Sequence, residues 1–274
     1  MRLNTLGGIR VVADGNVVAG AAAQPRRLAV LALLARAGRV GVTREKILAL
    51  LWPDEPDDRA RRSLNQAVYS LRRDLGGEDA LAGSKDLRLN LDLIEVDVVE
   101  FDDALQANDV DTAVRLYDGP FLDGFYVPRA EEFERWIEAQ RAALAHQYAA
   151  ALEQVATRAS ERGDAASAVV HWRKLAATDP LNSRIAMGVM RSLVAAGDFA
   201  GAVQHARLHE ALLDQELGLP PDRDIADFAR ELRARSEAPV APVAALVPAP
   251  TPVMQVSAAA VVPVGDESIA RESE

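Results

Sequence analysis

A short segment of the chain concentrates side chains that can bind nucleic acid. Between Arg59 and Arg73 there are five arginines and no acidic residue. The whole chain, in contrast, has 31 basic and 41 acidic residues and a formal net charge of −10. Arginine can pair with guanine or with phosphate, and glutamine and asparagine can pair with adenine. The segment therefore predicts a DNA contact, and an ordinary solvated helix face is the alternative interpretation.

Wound as an α-helix, this segment separates its polar donors from its apolar residues. The apolar residues form one stripe, which consists of Ala60, Leu64, Val68, Leu71 and Leu75. The opposite side and its flanks hold the predicted DNA contacts, which are Arg59, Arg62, Asn65, Gln66, Tyr69, Arg72 and Arg73. We expect Gln66 and Arg73 to contact bases and Arg72, at the flank, to hold phosphate.

The residues before this helix predict the elements that position it. Residues 1–20 contain short apolar stretches separated by glycine-rich turns, which is typical of strands. Two helical patterns follow, and the second of them has Thr43 at its N-cap position. The third helix is the arginine-rich one, with Asp57 or Asp58 as its predicted cap.

A predicted hairpin follows the third helix, with its tip at residues 83–86. We expect Ser84, Lys85 and Arg88 of this hairpin to approach the DNA backbone or the minor groove. Residues 1–96 carry 15 basic and 12 acidic side chains, whereas residues 97–274 carry 16 and 29. This asymmetry indicates that the first part of the chain faces nucleic acid and the second does not.

Residues 97–235 are helical in pattern and contain an internal repeat. Gly163-Asp164 aligns with Gly197-Asp198 at an offset of 34 residues, which is the tetratricopeptide period. The expected fold class is mainly α with a small β component, a winged helix-turn-helix domain followed by a tetratricopeptide-like helical repeat domain. Residues 236–274 are rich in proline and alanine and are predicted to be a disordered linker or tail.

The segment LWPDEPDDRARRSLNQAVYSLRRDLG resembles the second and third helices of OmpR-type winged helix-turn-helix domains. In particular, it resembles those of the Streptomyces antibiotic regulatory proteins (SARPs). The stretch YDGPFLDGF, residues 117–125, resembles the bacterial transcriptional activator domain (BTAD) that follows the winged helix in that family. The resemblance implies an OmpR-type domain at 1–96 and a BTAD at 97–235.

The same resemblance implies a function in transcription. SARP-type regulators bind double-stranded DNA at direct repeats near promoters and recruit RNA polymerase. Asp54, Glu55 and Asp57 lie in the loop that corresponds to the polymerase-facing loop of the family. The resemblance also implies that the helical repeat domain serves self-association or partner binding. We therefore predict a transcriptional activator.

Several classes of protein are disfavoured by what the sequence lacks. There is no cysteine, which excludes disulfides and thiolate metal sites and fits a cytoplasmic protein. There is no nucleotide-binding, serine-hydrolase or zinc-protease motif, so we expect neither enzymatic activity nor a cofactor. His205 and His209 lie one helical turn apart, but with no third ligand indicated we expect surface or interhelix histidines and no metal. No signal peptide and no membrane-spanning run is present.

Two alternatives remain open from the sequence. One is a tetratricopeptide scaffold whose winged helix binds protein and not DNA. The other is the N-terminal regulatory part of a larger multidomain signalling protein or enzyme.

Overall fold

The computed structural model describes residues 1–17 and 24–237. The strands are β1 (Arg2–Asn4), β2 (Arg10–Ala13), β3 (Asn16–Val17), β4 (Val42–Thr43), β5 (Leu81–Ala82), β6 (Asp86–Leu89) and β7 (Glu95–Val96). The helices are α1 (Pro25–Ala37), α2 (Arg44–Leu51), α3 (Asp57–Asp74), α4 (Asp97–Gln106), α5 (Val110–Leu116), α6 (Glu131–Glu161), α7 (Ala165–Thr178), α8 (Ser183–Ala195), α9 (Phe199–Leu217) and α10 (Arg223–Glu237). Of the predicted tail 236–274, all but the first two residues lie outside the described part.

The N-terminal sheet has the order β3-β2-β1-β7. β1 runs antiparallel to β2, with Leu3 opposite Val11, and parallel to β7, with Leu3 opposite Val96. These three side chains are buried, so the sheet packs one face against the core. The mainly helical fold with a small β component is as predicted.

Three helices follow the sheet, as the sequence predicts. Thr43 caps α2, because its hydroxyl accepts a hydrogen bond from the backbone N–H of Lys46 at 3.2 Å. The prediction that Asp57 or Asp58 caps α3 is wrong: Pro56 holds the N-cap position, and no side chain caps the helix. Both aspartates lie in the first turn, where a carboxylate interacts favourably with the helix dipole.

The predicted apolar stripe of α3 is confirmed. Its five members are buried, each with at most 6% exposure, and they are Ala60, Leu64, Val68, Leu71 and Leu75. Because the stripe occupies one side of an 18-residue helix, the opposite side is left to face solvent.

The predicted Gly-Asp repeat forms two matching turns, each of which connects two helices. Gly163 and Gly197 have φ of +73° and +81°, values that favour glycine. Asp164 and Asp198 follow them and cap α7 and α9, accepting from the backbone N–H three residues later at 3.1 and 2.8 Å. The 34-residue period therefore reflects a repeated structural unit.

The same turn occurs a third time, earlier in the chain. Asn108 takes the glycine position with φ of +57°, and Asp109 caps α5 by accepting from the Thr112 N–H at 3.1 Å. Asparagine tolerates this left-handed conformation better than most non-glycine residues. The sequence predicts an earlier helical pair around residues 104–125, but the 34-residue period does not reveal its turn, because the glycine is replaced and the spacing to the next copy is different.

Residues 1–236 form one compact unit with two main hydrophobic clusters. The first cluster runs from Leu3 to Leu144, so it extends across the predicted domain border at residue 96. The second runs from Leu152 to Leu232 within the helical repeats. The first half of the helical region therefore shares a core with the winged helix.

Candidate nucleic-acid interface

The outer side of α3 presents polar side chains to solvent. Arg62, Gln66 and Tyr69 are exposed, and the Tyr69 ring, at 64% exposure, is not packed into the core. Within residues 1–17 and 24–237, neither Arg62 nor Gln66 forms a hydrogen bond or an ion pair with another side chain. These three predicted contacts thus share one face and are available to a ligand.

Arg59 and Arg73 lie at the two ends of this face and form ion pairs. The Arg59 Nε lies 3.7 Å from the carboxylate of Glu55, and the Arg73 Nη2 lies 3.1 Å from that of Asp74. Both arginine side chains are more than 60% exposed. The carboxylates of Glu55 and Asp74 are less exposed, at 23% and 16%, so the two arginines lie at the edge between the scaffold and solvent.

Arg72 has a different environment from the other predicted contacts. Its Nε and Nη2 donate to the backbone carbonyl of Leu81 at 3.2 and 3.1 Å, and its Nη1 donates to Glu78 at 2.7 Å. The guanidinium group therefore joins the end of α3 to β5. The structure places Arg72 inside the scaffold of the hairpin and not on the open face.

The predicted hairpin is formed by β5 and β6, and β4 completes a three-stranded sheet in the order β4-β6-β5. Its tip requires glycine at residue 83, where φ is +93° and a Cβ would overlap the carbonyl oxygen of Asp86. Ser84, Lys85 and Arg88 are exposed, whereas Leu87 and Leu89 are buried. The hairpin thus presents its polar residues beside α3 in the manner of a wing.

Arg44 of α2 makes a second link between α3 and the wing. The Arg44 Nη1 donates to the Asn65 Oδ1 at 2.8 Å, and its Nε donates to the backbone carbonyl of Ser84 at 2.6 Å. Asn65 is exposed at the flank of the α3 face. Among the predicted contacts, Asn65 is therefore held by a residue that the sequence analysis did not select.

The loop between α2 and α3 is short and acidic. The three residues of the predicted polymerase-facing loop have different environments. Asp54 is exposed in the loop. Glu55 is half-buried and faces α3, where it accepts a hydrogen bond from the Ser63 hydroxyl at 3.4 Å and pairs with Arg59. Asp57 is already the first residue of α3.

Comparison with known proteins matches both halves of this architecture. Residues 20–83 match the family described as "Transcriptional regulatory protein, C terminal", and residues 99–233 match the "Bacterial transcriptional activator domain". Regulatory protein AfsR of Streptomyces griseus is 28% identical over 255 residues, which cover 86% of this chain and 25% of AfsR. The chain belongs to the SARP-type regulators. It spans about a quarter of the length of the relative that it matches.

A solved structure supports the fold of this regulator. EmbR of Mycobacterium tuberculosis, solved in complex with a low-affinity phosphopeptide, superposes with a TM-score of 0.61 at 20% identity. The match covers 85% of the regulator and 65% of the EmbR chain. At this identity the likeness is one of fold.

The sequence analysis missed basic residues that precede α3. Arg26 and Arg27, at the start of α1, line a pocket of about 400 Å³ together with Arg59 and Arg62. The Arg26 guanidinium also lies 5.8 Å from the centre of the Trp52 ring, within cation–π range. The Arg-Arg pair at the predicted helix start was the available signal, but the approach of α1 to α3 is a tertiary feature.

The two candidate histidine ligands have separate environments. His209 is buried, with its Nδ1 donating to the Pro180 carbonyl at 3.1 Å and its Nε2 facing the Ser183 hydroxyl at 3.3 Å. Burial lowers the pKa of His205, and nearby His209 and Arg173 lower it further. Within the described ranges, no three His, Asp or Glu side chains are grouped so that they could hold a metal ion. None of the helices in those ranges is long and apolar enough to cross a membrane.

Proposed function

We propose that this regulator binds double-stranded DNA in a sequence-specific manner, with α3 in the major groove and the β5–β6 wing at the backbone or minor groove. The observation that carries the proposal is the face of α3 formed by Arg62, Gln66 and Tyr69. This face is exposed and free of acidic residues in a chain of net charge −10. Charges act over about 8 Å at physiological salt, so the local patch matters more than the total charge of the chain.

The individual contacts follow from the position of each side chain. Side chains on the open face of α3 are placed to reach base edges, and these are Arg62, Gln66, Tyr69 and Arg73. Side chains at the start of α3 and on the wing are proposed to hold phosphate, and these are Arg59, Ser84, Lys85 and Arg88. Arg72 supports the wing from within the scaffold, because both edges of its guanidinium group are already bonded. Asn65 lies between the two groups.

We also propose that the regulator acts as an activator in the cytoplasm, at direct repeats near promoters, through contact with RNA polymerase. Within the loop, Asp54 is the acidic residue best placed for a protein partner, since it is exposed and Glu55 is engaged with α3. Self-association would use the helical repeats, where α6, α8 and α10 line an open groove of about 690 Å³. These roles rest on membership in the family.

Titration of the full chain with duplex DNA tests the first proposal. Affinity for random duplex should fall steeply between 50 and 200 mM salt, because phosphate contacts release counterions. Gln66→Ala should relax the preferred sequence, since a base contact is worth about 1–3 kcal/mol on the right site. Gln204→Ala, an exposed substitution on α9, is the matched control.

The alternative scaffold function makes the opposite prediction for the same titration. A tetratricopeptide scaffold would show no binding to duplex DNA, or a response that does not change with salt. Either result would reject the DNA-binding proposal and favour a protein partner for the α3 face.

A further inference from the structure

Arg44 contacts both of the elements that are proposed to touch DNA. It is the first residue of α2. Its side chain reaches Asn65 on α3 and the Ser84 carbonyl at the wing tip, and its backbone N–H donates to the Lys85 carbonyl at 3.2 Å. The Arg44 side chain thereby links α3 to the tip of the wing.

The chemistry of this link determines the orientation of the Asn65 amide. A guanidinium group has only donors, so the amide atom that faces it must be the carbonyl oxygen. The amide nitrogen of Asn65 then points away from Arg44, and among the residues described it has no hydrogen-bond partner. Asn65 consequently offers two N–H donors to an incoming ligand, while Arg44 uses one of the two lone pairs of its oxygen.

We propose that Arg44 is a positioning residue for sequence reading, and that the Asn65 amide it holds selects guanine. The inference rests on the proposed DNA binding and assigns a base preference to one position of the site. Guanine presents two acceptors, N7 and O6, in the major groove, which match two N–H donors. Adenine presents one acceptor and one donor, so its amino group would have to share the Asn65 oxygen with the guanidinium group of Arg44, whereas guanine requires only the two N–H donors.

A direct phosphate contact is the competing role for Arg44, and the geometry argues against it. Two of its side-chain nitrogens, Nε and Nη1, are already bonded to Ser84 and Asn65. Lysine keeps the positive charge but lacks the planar fork that bonds two acceptors in a fixed geometry. Arg44→Lys therefore removes the bridge and leaves the electrostatic attraction in place.

The test uses the full chain in binding selections on randomised duplexes. Asn65→Ala identifies the base pair that Asn65 contacts, because the preference is lost there. At that base pair, Arg44→Lys should reduce discrimination roughly tenfold and leave the other positions unchanged. The salt dependence of affinity should also stay the same, whereas loss of a phosphate contact would lower its slope by about one. Arg207→Lys on exposed α9 is the control.

A second variant tests the orientation directly. Asn65→Asp keeps an acceptor for Arg44 but replaces the N–H donors by an oxygen, which accepts from cytosine N4. The preferred base on the contacted strand should change from guanine to cytosine, with an unchanged melting temperature. This exchange is informative even where Arg44→Lys lowers stability, because the Arg44 bridge is retained.

The outcomes separate this inference from the proposed function. If the wild-type chain prefers particular sequences and the Arg44→Lys variant has the same preference, the role of Arg44 is overturned. The proposed DNA binding is then unaffected. A preference for adenine at the Asn65 position overturns the amide orientation. A wild-type chain with no sequence preference overturns the proposed function and, with it, this assignment.

Discussion

The carboxylate of Asp97 accepts hydrogen bonds from both the backbone N–H and the hydroxyl of Thr5. The N–H lies 2.9 and 2.7 Å from the two carboxylate oxygens, and the hydroxyl lies 2.6 Å from Oδ1. The Leu6 N–H adds a bond of 2.9 Å. Asp97 and Thr5 are both buried, so the first residue of α4 satisfies donors at the end of β1 across the predicted domain border.

Asp97→Ala should strongly destabilise the regulator. The substitution leaves at least two buried backbone N–H groups without an acceptor, and each such group costs about 1–3 kcal/mol. We expect a loss of at least about 2–3 kcal/mol in the free energy of unfolding by denaturant. Asp103→Ala, on the same helix in an exposed pair with Arg39, should change it by less than about 1 kcal/mol. Equal effects would show that the Asp97 bonds are not maintained in solution.

A fragment that ends at residue 96 should not fold. The fragment would lack the Asp97 carboxylate, and its hydrophobic cluster would lack the buried rings of Phe101, Phe121 and Phe133. The charge and helix pattern of residues 1–96 predict a self-contained DNA-binding domain, whereas the hydrophobic cluster that continues to Leu144 leads us to expect that residues beyond 96 are needed for folding. Circular dichroism should show a cooperative melt for a fragment of residues 1–150 and none for residues 1–96. A cooperative melt of the shorter fragment would mean that the border at 96 is a true domain border.

The local elements could be predicted from the sequence, and the contacts between distant elements could not. The burial of Leu64, Val68 and Leu71 follows from a 3.6-residue period that is visible in the segment itself. The placement of Arg72 depends on Leu81 and that of Asn65 depends on Arg44, partners which lie beyond one helix. An arginine looks the same in sequence whether it faces DNA or a backbone carbonyl.

Arg72→Ala and Arg62→Ala should separate stability from binding. Arg72→Ala removes the bonds to the Leu81 carbonyl and should cost about 1–2 kcal/mol of folding stability. Arg62→Ala removes an exposed side chain with no partner in the described structure, so stability should change by less than about 0.5 kcal/mol while DNA affinity falls. Paired thermal melts and DNA titrations of the two variants measure the difference. An unchanged melting temperature for Arg72→Ala would mean that Arg72 does not stabilise the fold, and it would favour the original prediction that Arg72 contacts DNA.

Gly163→Val should destabilise the helical repeats. The φ of +73° at Gly163 is strained for a β-branched residue, and substitution there should cost more than about 1 kcal/mol. No atom lies within 4 Å of the added Cβ, so the backbone conformation alone accounts for the effect. Ala166→Val on the exposed side of α7 is the control and should cost about 0.5 kcal/mol from helix propensity. Chemical denaturation that gives the two variants equal stability would place the turn elsewhere.

The regulator should lose stability on the acid side of neutrality, and His205 should contribute to that loss. Burial is the largest cause of the lowered pKa of His205, followed by His209 and Arg173. Its Nε2 is buried, with no hydrogen-bond partner among the described residues. As the pH falls below about 6.5, His205 becomes protonated in the unfolded chain but stays neutral in the folded chain. The free energy of unfolding therefore decreases. His205→Gln cannot be protonated and should weaken this decrease between pH 7.5 and 5.5, as measured by urea unfolding at each pH. His146→Gln, at an exposed position of α6, is the control, and an identical pH dependence in wild type and His205→Gln would show that His205 is not the group that titrates.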